Sequence, residues 1–267
     1  MSLLIASDLD RTLIYSAAAM TLGEPVPDPR CVEVLDGREI SFISPVALAG
    51  LAALSQRVAF VPTTTRTAAQ FQRIDLPGVR HDMAITTNGG RLLLSGQPCP
   101  DWDREVADRL AGSASYDEAA VALAGVLDQP WVLKIRDAER LFVYTVLERS
   151  GCDPDWFEEL EAVATGLGWT LSVQGRKAYV VPAALTKEAA LAEVVRRCGA
   201  TQVVAAGDSL LDRGLLECAD VAIRPAHGEL HDAGWCPPGL LVTARAGGGA
   251  AEEIVAHFVG FDQDRAD

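Results

Sequence analysis

Leu3-Leu4-Ile5-Ala6-Ser7-Asp8-Leu9-Asp10-Arg11-Thr12-Leu13 carries an apolar run straight into two carboxylates separated by one leucine. A buried strand that ends in Asp-x-Asp is costly to keep, because unpaired carboxylates beside a core repel each other and resist desolvation. A cation between them removes that penalty. One reading is therefore a strand whose carboxyl end presents Asp8 and Asp10 to a hard metal ion and a phosphate. The other is a strand closing in an Asp-rich turn, and this stretch alone leaves both open.

Three further segments bear on the choice. Phe60-Val61-Pro62-Thr63-Thr64-Thr65-Arg66-Thr67 is a second apolar run, ending in hydroxyls. Leu185-Thr186-Lys187-Glu188 sets a lysine at a helix start, and Val203-Val204-Ala205-Ala206-Gly207-Asp208-Ser209-Leu210-Leu211-Asp212 is a third apolar run ending in carboxylates. Carboxylate pair, hydroxyl, lysine and acidic pair, in that order, resemble the four motifs of the haloacid dehalogenase-like (HAD) superfamily of phosphatases and phosphotransferases. Asp8, Asp10 and Thr12 match its Asp-x-Asp-x-Thr, and Gly207, Asp208 and Asp212 match its Gly-Asp with an acid four residues on.

The totals are compatible. At 267 residues and 49% hydrophobic content the chain suits one large domain, or a core with a second, smaller one. A formal net charge of −14 argues against nucleic acid or an anionic membrane as partner. No apolar run reaches the roughly 18 residues of a membrane span, and the start lacks the pattern of a signal peptide. Six cysteines without CxxC spacing read as reduced thiols, hence a cytoplasmic protein. His81, His227, His231 and His257 show no ligand spacing and read as structural or exposed.

In chain order, Cys31–Leu35 and Arg38–Ile43 alternate around Asp36-Gly37, the signature of a tight hairpin; a hairpin after the first motif resembles the superfamily's flap, and an ordinary surface hairpin fits equally. Ser44-Pro45 opens a helix to about Gln56. Val58–Val61 and Met83–Thr86 read as further strands of a parallel, doubly wound α/β sheet, separated by a helix from Thr67 to about Ile74. Between Ser95 and Pro182 the pattern becomes helices plus antiparallel strands: helices at Trp102–Leu110, Tyr116–Leu127 and Pro154–Gly166, strands at Trp131–Arg136, Leu141–Val146, Trp169–Val173 and Lys177–Val181, with a turn over 137–140. Such an α+β insertion resembles the type C2 cap of the superfamily. The expected organisation is a discontinuous Rossmann-like core, residues 1–94 and 183–267, with a cap over 95–182. A helix from Thr186 to Cys198, the strand Val203–Ala206, a helix holding Asp212, strands at Val221–Ile223 and Leu240–Val242, and a helix over Ala250–Phe258 complete the core.

Phosphate monoester hydrolysis needs an aligned nucleophile, neutralised equatorial oxygens and a proton for the leaving oxygen. Asp8 as nucleophile would form a phosphoaspartyl intermediate, and Asp10, two residues on, would serve as general acid and then base. The resemblance implies Mg²⁺ held by Asp8, the Asp10 backbone carbonyl and Asp208. It also makes Thr64, with Thr63 as competitor, the hydroxyl that binds the phosphoryl group, because Thr64-Thr65-Arg66 is similar to a Thr-Gly-Arg of C2-capped members. Lys187 would neutralise Asp8 and phosphate; a lysine at a helix N-terminus is disfavoured by the dipole and asks for such a reason. Asp212 and Ser209 would support the lysine or a metal-bound water. Arg66, Asn88, Arg224 and the pair Arg176-Lys177 are further candidates for substrate contact.

The chain departs from the pattern in places. Arg11 and Thr65 stand where glycines are usual, and Ile223-Arg224-Pro225-Ala226 replaces the Asn-Ala of many C2 members; the chain resembles the Cof-type, sucrose-phosphate phosphatase and mannosyl-3-phosphoglycerate phosphatase branch, this segment looking closer to the latter two. The leading expectation is a Mg²⁺-dependent phosphatase acting on a small phosphorylated metabolite, a sugar phosphate. A phosphomutase shares every motif, and a non-catalytic phosphate-binding module would be expected to lose Asp8 or Asp10. Substrate identity and oligomeric state are not legible.

Overall fold

In the computed structural model, which describes residues 2–263, the opening apolar run forms the strand Leu3–Ser7, buried throughout. It belongs to a five-stranded sheet ordered Leu241–Val242, Val221–Arg224, Gln202–Ala206, Leu3–Ser7, Ala59–Pro62, with every neighbouring pair parallel. A strand covered on both faces must be apolar at every position, which is why the run does not alternate. By the pleat, Leu3 and Ile5 face one way and Leu4 and Ala6 the other. Leu3 and Ile5 join a core with Leu48, Leu51 and Leu54 of helix Pro45–Leu54 and with Ile254 and Phe258 of helix Gly248–Gln263. Helix Lys187–Cys198 packs on Arg213–Glu217, which in turn packs on Gln202–Ala206 and Val221–Arg224. The α/β class and the parallel sheet expected from the sequence are both present.

Register decides where chemistry can occur. Ser7 is level with both Ala206 and Pro62, so Asp8, Thr63 and Gly207 leave the sheet together at its carboxyl end. That edge is where open parallel sheets bind ligands.

Met83–Thr86 forms as expected but is not a laddered strand of this sheet. It pairs antiparallel with Arg91–Leu94 and touches the parallel sheet through one bridge, Thr63 to Ile85. The Thr63 N–H donates to Ser7 and the Thr64 N–H to Ile85, so position 62 faces the Met83–Thr86 side. Pro62 has no N–H to give there, and the ladder stops.

The hairpin Arg30–Leu35 and Arg38–Ile43 closes through Asp36 and Gly37, at φ 51° and 72°, as a two-residue turn with both centres left-handed. Its first strand is irregular, with register shifts around Glu33. The bulge turns the Glu33 side chain into the protein where strict alternation would leave it out; Glu33 is 2% exposed.

The chain divides into two compact units, one holding the residues up to Pro98 and from Lys187 onward, the other Cys99–Thr186. The second unit has a four-stranded antiparallel sheet, ordered Trp169–Gln174, Lys177–Pro182, Phe142–Leu147, Val132–Ala138. Its helices Tyr116–Leu127 and Pro154–Gly166 pack together. They start where short side chains cap them: Ser115 and Glu118 form a reciprocal box, and Asp153 accepts from the Asp155 N–H at 3.0 Å. The strand expected to end at Arg136 runs on to Ala138, because Glu139 and Arg140, both at φ 55°, make the reversal tighter than a turn over 137–140. Among the described residues no helix is long and apolar enough to cross a membrane.

Candidate active site

Asp8 follows directly on Ser7 and is 4% exposed. Its Oδ1 accepts from the Lys187 ammonium at 2.7 Å and its Oδ2 from the Thr12 hydroxyl at 3.1 Å. Lys187, the first residue of its helix, is fully buried and also donates to Asp212 Oδ1 at 2.5 Å. Asp212 holds the fourth motif together: its Oδ2 accepts from the N–H groups of Asp208 and Ser209 and from the Ser209 hydroxyl, at 2.7–3.1 Å. It lies in a 3₁₀ turn, Leu210–Asp212, ahead of the helix that the sequence reading gave it. Gly207 is obligatory, since a Cβ there would come within 2.4 Å of the Asp212 side chain.

Asp8, Asp208 and Asp212 have carboxylate oxygens within 4.8 Å of one another, all buried. Burial pushes the Asp8 carboxyl up, and the pull of Lys187 offsets only part of this. Asp208 is pushed well above the usual carboxylate range, by burial first and then by Asp8 and Asp212. Lys187 is held protonated above its ordinary value: burial acts downward, but Asp212 and Asp8 outweigh it. The cluster thus has more negative charge than its lysine cancels. A hard divalent cation suits this donor set. Gly228, at φ 93°, packs its backbone directly against Asp208, where a Cβ would come within 2.6 Å of Oδ2. Asp8, Asp208 and Asp212 thus offer an all-oxygen donor set that fits Mg²⁺.

Asp10 belongs to a different cluster. The Arg66 guanidinium grips its carboxylate with two bonds, at 2.6 and 2.8 Å. Arg66 also donates to Glu33 at 2.7 Å and to the Ser41 hydroxyl at 3.1 Å, while Arg73 reaches the other Glu33 oxygen at 3.1 Å. Burial would raise Glu33, but Arg66, Ser41 and Arg73 hold it below the ordinary value. Burial acts downward on Arg66, but Asp10 and then Glu33 push it higher still. Arg66 is therefore held as a clamp on Asp10, fixed from the hairpin.

The motif-two hydroxyls separate. Thr63 donates to the Val61 carbonyl at 3.1 Å, and Thr64 accepts from the Arg66 N–H at 3.1 Å, leaving its proton to give outward. Thr65 is not left-handed, so its replacement of a glycine is unstrained. Asn88, 1% exposed and at φ 54°, is clipped to this loop by its N–H on the Thr64 carbonyl at 3.0 Å. Arg224 is not gathered in: its guanidinium donates to the carbonyls of Trp235 and Pro225 and lies 3.0 Å from His231 Nδ1. Arg176 donates to the Leu147 carbonyl at 3.1 Å, and the Lys177 ammonium lies 5.8 Å from the Tyr144 ring centre.

Three contributors were not singled out from the sequence, Glu33, Ser41 and Gly228, while His227, read there as structural or exposed, is buried and structural. His227 bonds the Arg11 carbonyl through Nε2 at 2.8 Å and accepts the Gly247 N–H through Nδ1 at 3.3 Å. Burial pushes it down to about 4, so both bonds are made by the neutral ring. An acid inside an apolar alternation was the one available signal for Glu33.

No family model matches the chain, and no curated protein matches it. Solved structures do. The sucrose-phosphatase from Synechocystis, solved with sucrose and phosphate, is 16% identical at a TM-score of 0.64, over 97% of this chain and 98% of that one. A trehalose-6-phosphate phosphatase related protein is 17% identical at 0.59, over 98% and 99%. A sugar phosphatase of HAD subclass IIB is 15% identical at 0.61, over 97% and 99%. At such identities the likeness is one of fold: this chain shares the fold of these structures along nearly its whole length.

Proposed function

We propose that the chain is a Mg²⁺-dependent phosphatase that hydrolyses a small phosphorylated metabolite, a sugar phosphate, through a phosphoaspartyl intermediate. The observation that carries this reading is the buried crowd of Asp8, Asp208 and Asp212 around Lys187, at the carboxyl end of the central parallel strands. A structural ion pair would need one carboxylate per lysine. Three buried together raise the cost of folding unless further positive charge joins them, and a function supplies the reason.

Asp8 attacks phosphorus through a carboxylate oxygen, and the bond to the leaving oxygen breaks. That oxygen takes a proton from Asp10. Water then attacks the acyl phosphate, Asp10 accepts its proton, and Asp8 is regenerated. Lys187 and the Thr64 hydroxyl stabilise the equatorial oxygens. Asp8, Asp208 and the Asp10 carbonyl would hold Mg²⁺, which supplies charge neutralisation at the phosphoryl group. Because Arg66 grips both Asp10 oxygens, Asp10 must give up at least one of these bonds to carry the proton.

The Cys99–Thr186 unit is read as a cap that selects the leaving group, supported by its position in the chain between the second and third motifs and by its own sheet and helices. The six free cysteines support a reducing, cytoplasmic setting. The test is a screen of purified protein on a panel of phosphorylated metabolites, with Mg²⁺ and with excess chelator, together with acid-quench trapping of a phosphoprotein. Chelator-sensitive release of phosphate and a trapped acyl phosphate are expected. Full turnover in chelator, or no phosphoprotein under any condition, would overturn the reading.

A further inference from the structure

Arg11 occupies a position that disfavours it. Its φ of 65° is left-handed, where a residue other than glycine is strained. The backbone is pinned in that state from both sides: the Arg11 N–H donates to the Ile14 carbonyl at 2.7 Å, and the Arg11 carbonyl is bonded by His227 Nε2 at 2.8 Å. A glycine would satisfy every one of these contacts at lower conformational cost, so the side chain has to account for the residue.

That side chain does one thing. Its Nε lies 3.2 Å from Asp208 Oδ2. Asp208 is 2% exposed and Arg11 28%, so the guanidinium reaches a buried carboxylate from the solvent side and can withdraw along the same way. Lys187 serves Asp8 and Asp212, and among the described residues Arg11 is the cation paired with Asp208.

We propose that Arg11 is a tethered counter-ion for Asp208: it neutralises this carboxylate in the metal-free protein and is displaced when a divalent cation binds there. The inference rests on the metal reading above and concerns what this chain adds to it. A guanidinium and a divalent ion on one carboxylate repel each other, so occupancy by one excludes the other. Arg11 thereby keeps the empty cluster foldable and weakens metal binding by the work of its own release.

The test is Mn²⁺ binding to the substrate-free protein, by calorimetry or by the spin-resonance signal of free Mn²⁺, in wild type, Arg11→Gln, Arg11→Gly and Arg11→Lys. Arg11→Gln keeps the backbone strain and removes the charge, and Arg11→Gly removes both. Each is expected to bind Mn²⁺ about tenfold more tightly than wild type, with Arg11→Lys close to wild type. In chelator both neutral variants should melt earlier than in Mn²⁺ by a wider margin than wild type does, as linkage requires. Affinities of Arg11→Gln and Arg11→Gly equal to wild type, or weaker, would overturn the counter-ion. Should Arg11→Gln not fold, Arg11→Gly decides alone, since glycine suits the backbone there. Absence of Mn²⁺ binding in every chain, or binding that Asp208→Asn leaves unchanged, overturns the metal reading along with it and so separates the two failures.

Discussion

Asp8 and Asp10 stand two residues apart and belong to charge clusters of opposite kinds. Around Asp8, three buried carboxylates share one lysine and the half-exposed Arg11. Around Asp10, two carboxylates meet two guanidinium groups, and Asp10 itself is 30% exposed. The first cluster is short of positive charge and buried where water cannot help. The second is balanced and open at one end. Excess buried charge marks a place built to receive something, whereas a balanced network marks a place built to hold something still. On the proposed reading, the difference fits a metal and a nucleophile at Asp8 and positional control by Arg66 and Glu33.

The largest way to sharpen this contrast is to remove each carboxylate's charge while keeping its shape. Asp8→Asn should abolish turnover, on the order of 10⁴-fold or more, and yield no trapped phosphoprotein with any substrate. Asp10→Asn should lose about 10²–10⁴-fold on a sugar phosphate, whose alkoxide needs a proton to leave. On p-nitrophenyl phosphate the same variant should release a burst of about one nitrophenolate per site and then slow, because the second step lacks its base. A linear trace with equal losses on both substrates would remove Asp10 from the acid–base role.

Stability breaks the comparison from the other side. Lys187→Met leaves Asp8 and Asp212 buried without a cation and should cost about 3–5 kcal/mol in urea unfolding. Glu33→Gln takes one carboxylate from a network with other partners and should cost about 1–2 kcal/mol. Equal losses would show that the two clusters do not differ in how far their charges depend on one another. The smallest effect concerns pH. The folded His227 titrates at about 4, below the unfolded 6.5, so the unfolded chain binds more protons in between. Its contribution is present above pH 6.5 and is lost as pH falls through that window to about 4. His227→Asn should flatten this part of the stability–pH curve, and an unchanged slope would mean that the ring is not held neutral.

Local signals were legible wherever the physics is local. Ser44-Pro45 and Asp153-Pro154 cap helices by bonds that span at most three residues, and Asp36-Gly37 closes its hairpin for a similar reason. Apolar runs ending in Asp8, Thr63 and Asp208 could be read as strands aimed at a site, because a strand buried on both faces must be apolar and a carboxylate beside it needs a partner. What partner each polar group takes was not legible. Arg66 meets Asp10 across 56 positions and Arg11 meets Asp208 across 197, distances set by strand register and not by spacing along the chain. Glu33 turns inward only because a bulge shifts its strand, and Arg224 turns away from the cluster because the Trp235 and Pro225 carbonyls claim it. The sequence by itself determined the strands, the caps and the order of the reacting groups, since these follow from short-range sterics and burial. Tertiary structure alone decided which charges compensate one another, since electrostatic partnership depends on distances that only the folded chain brings below 4 Å.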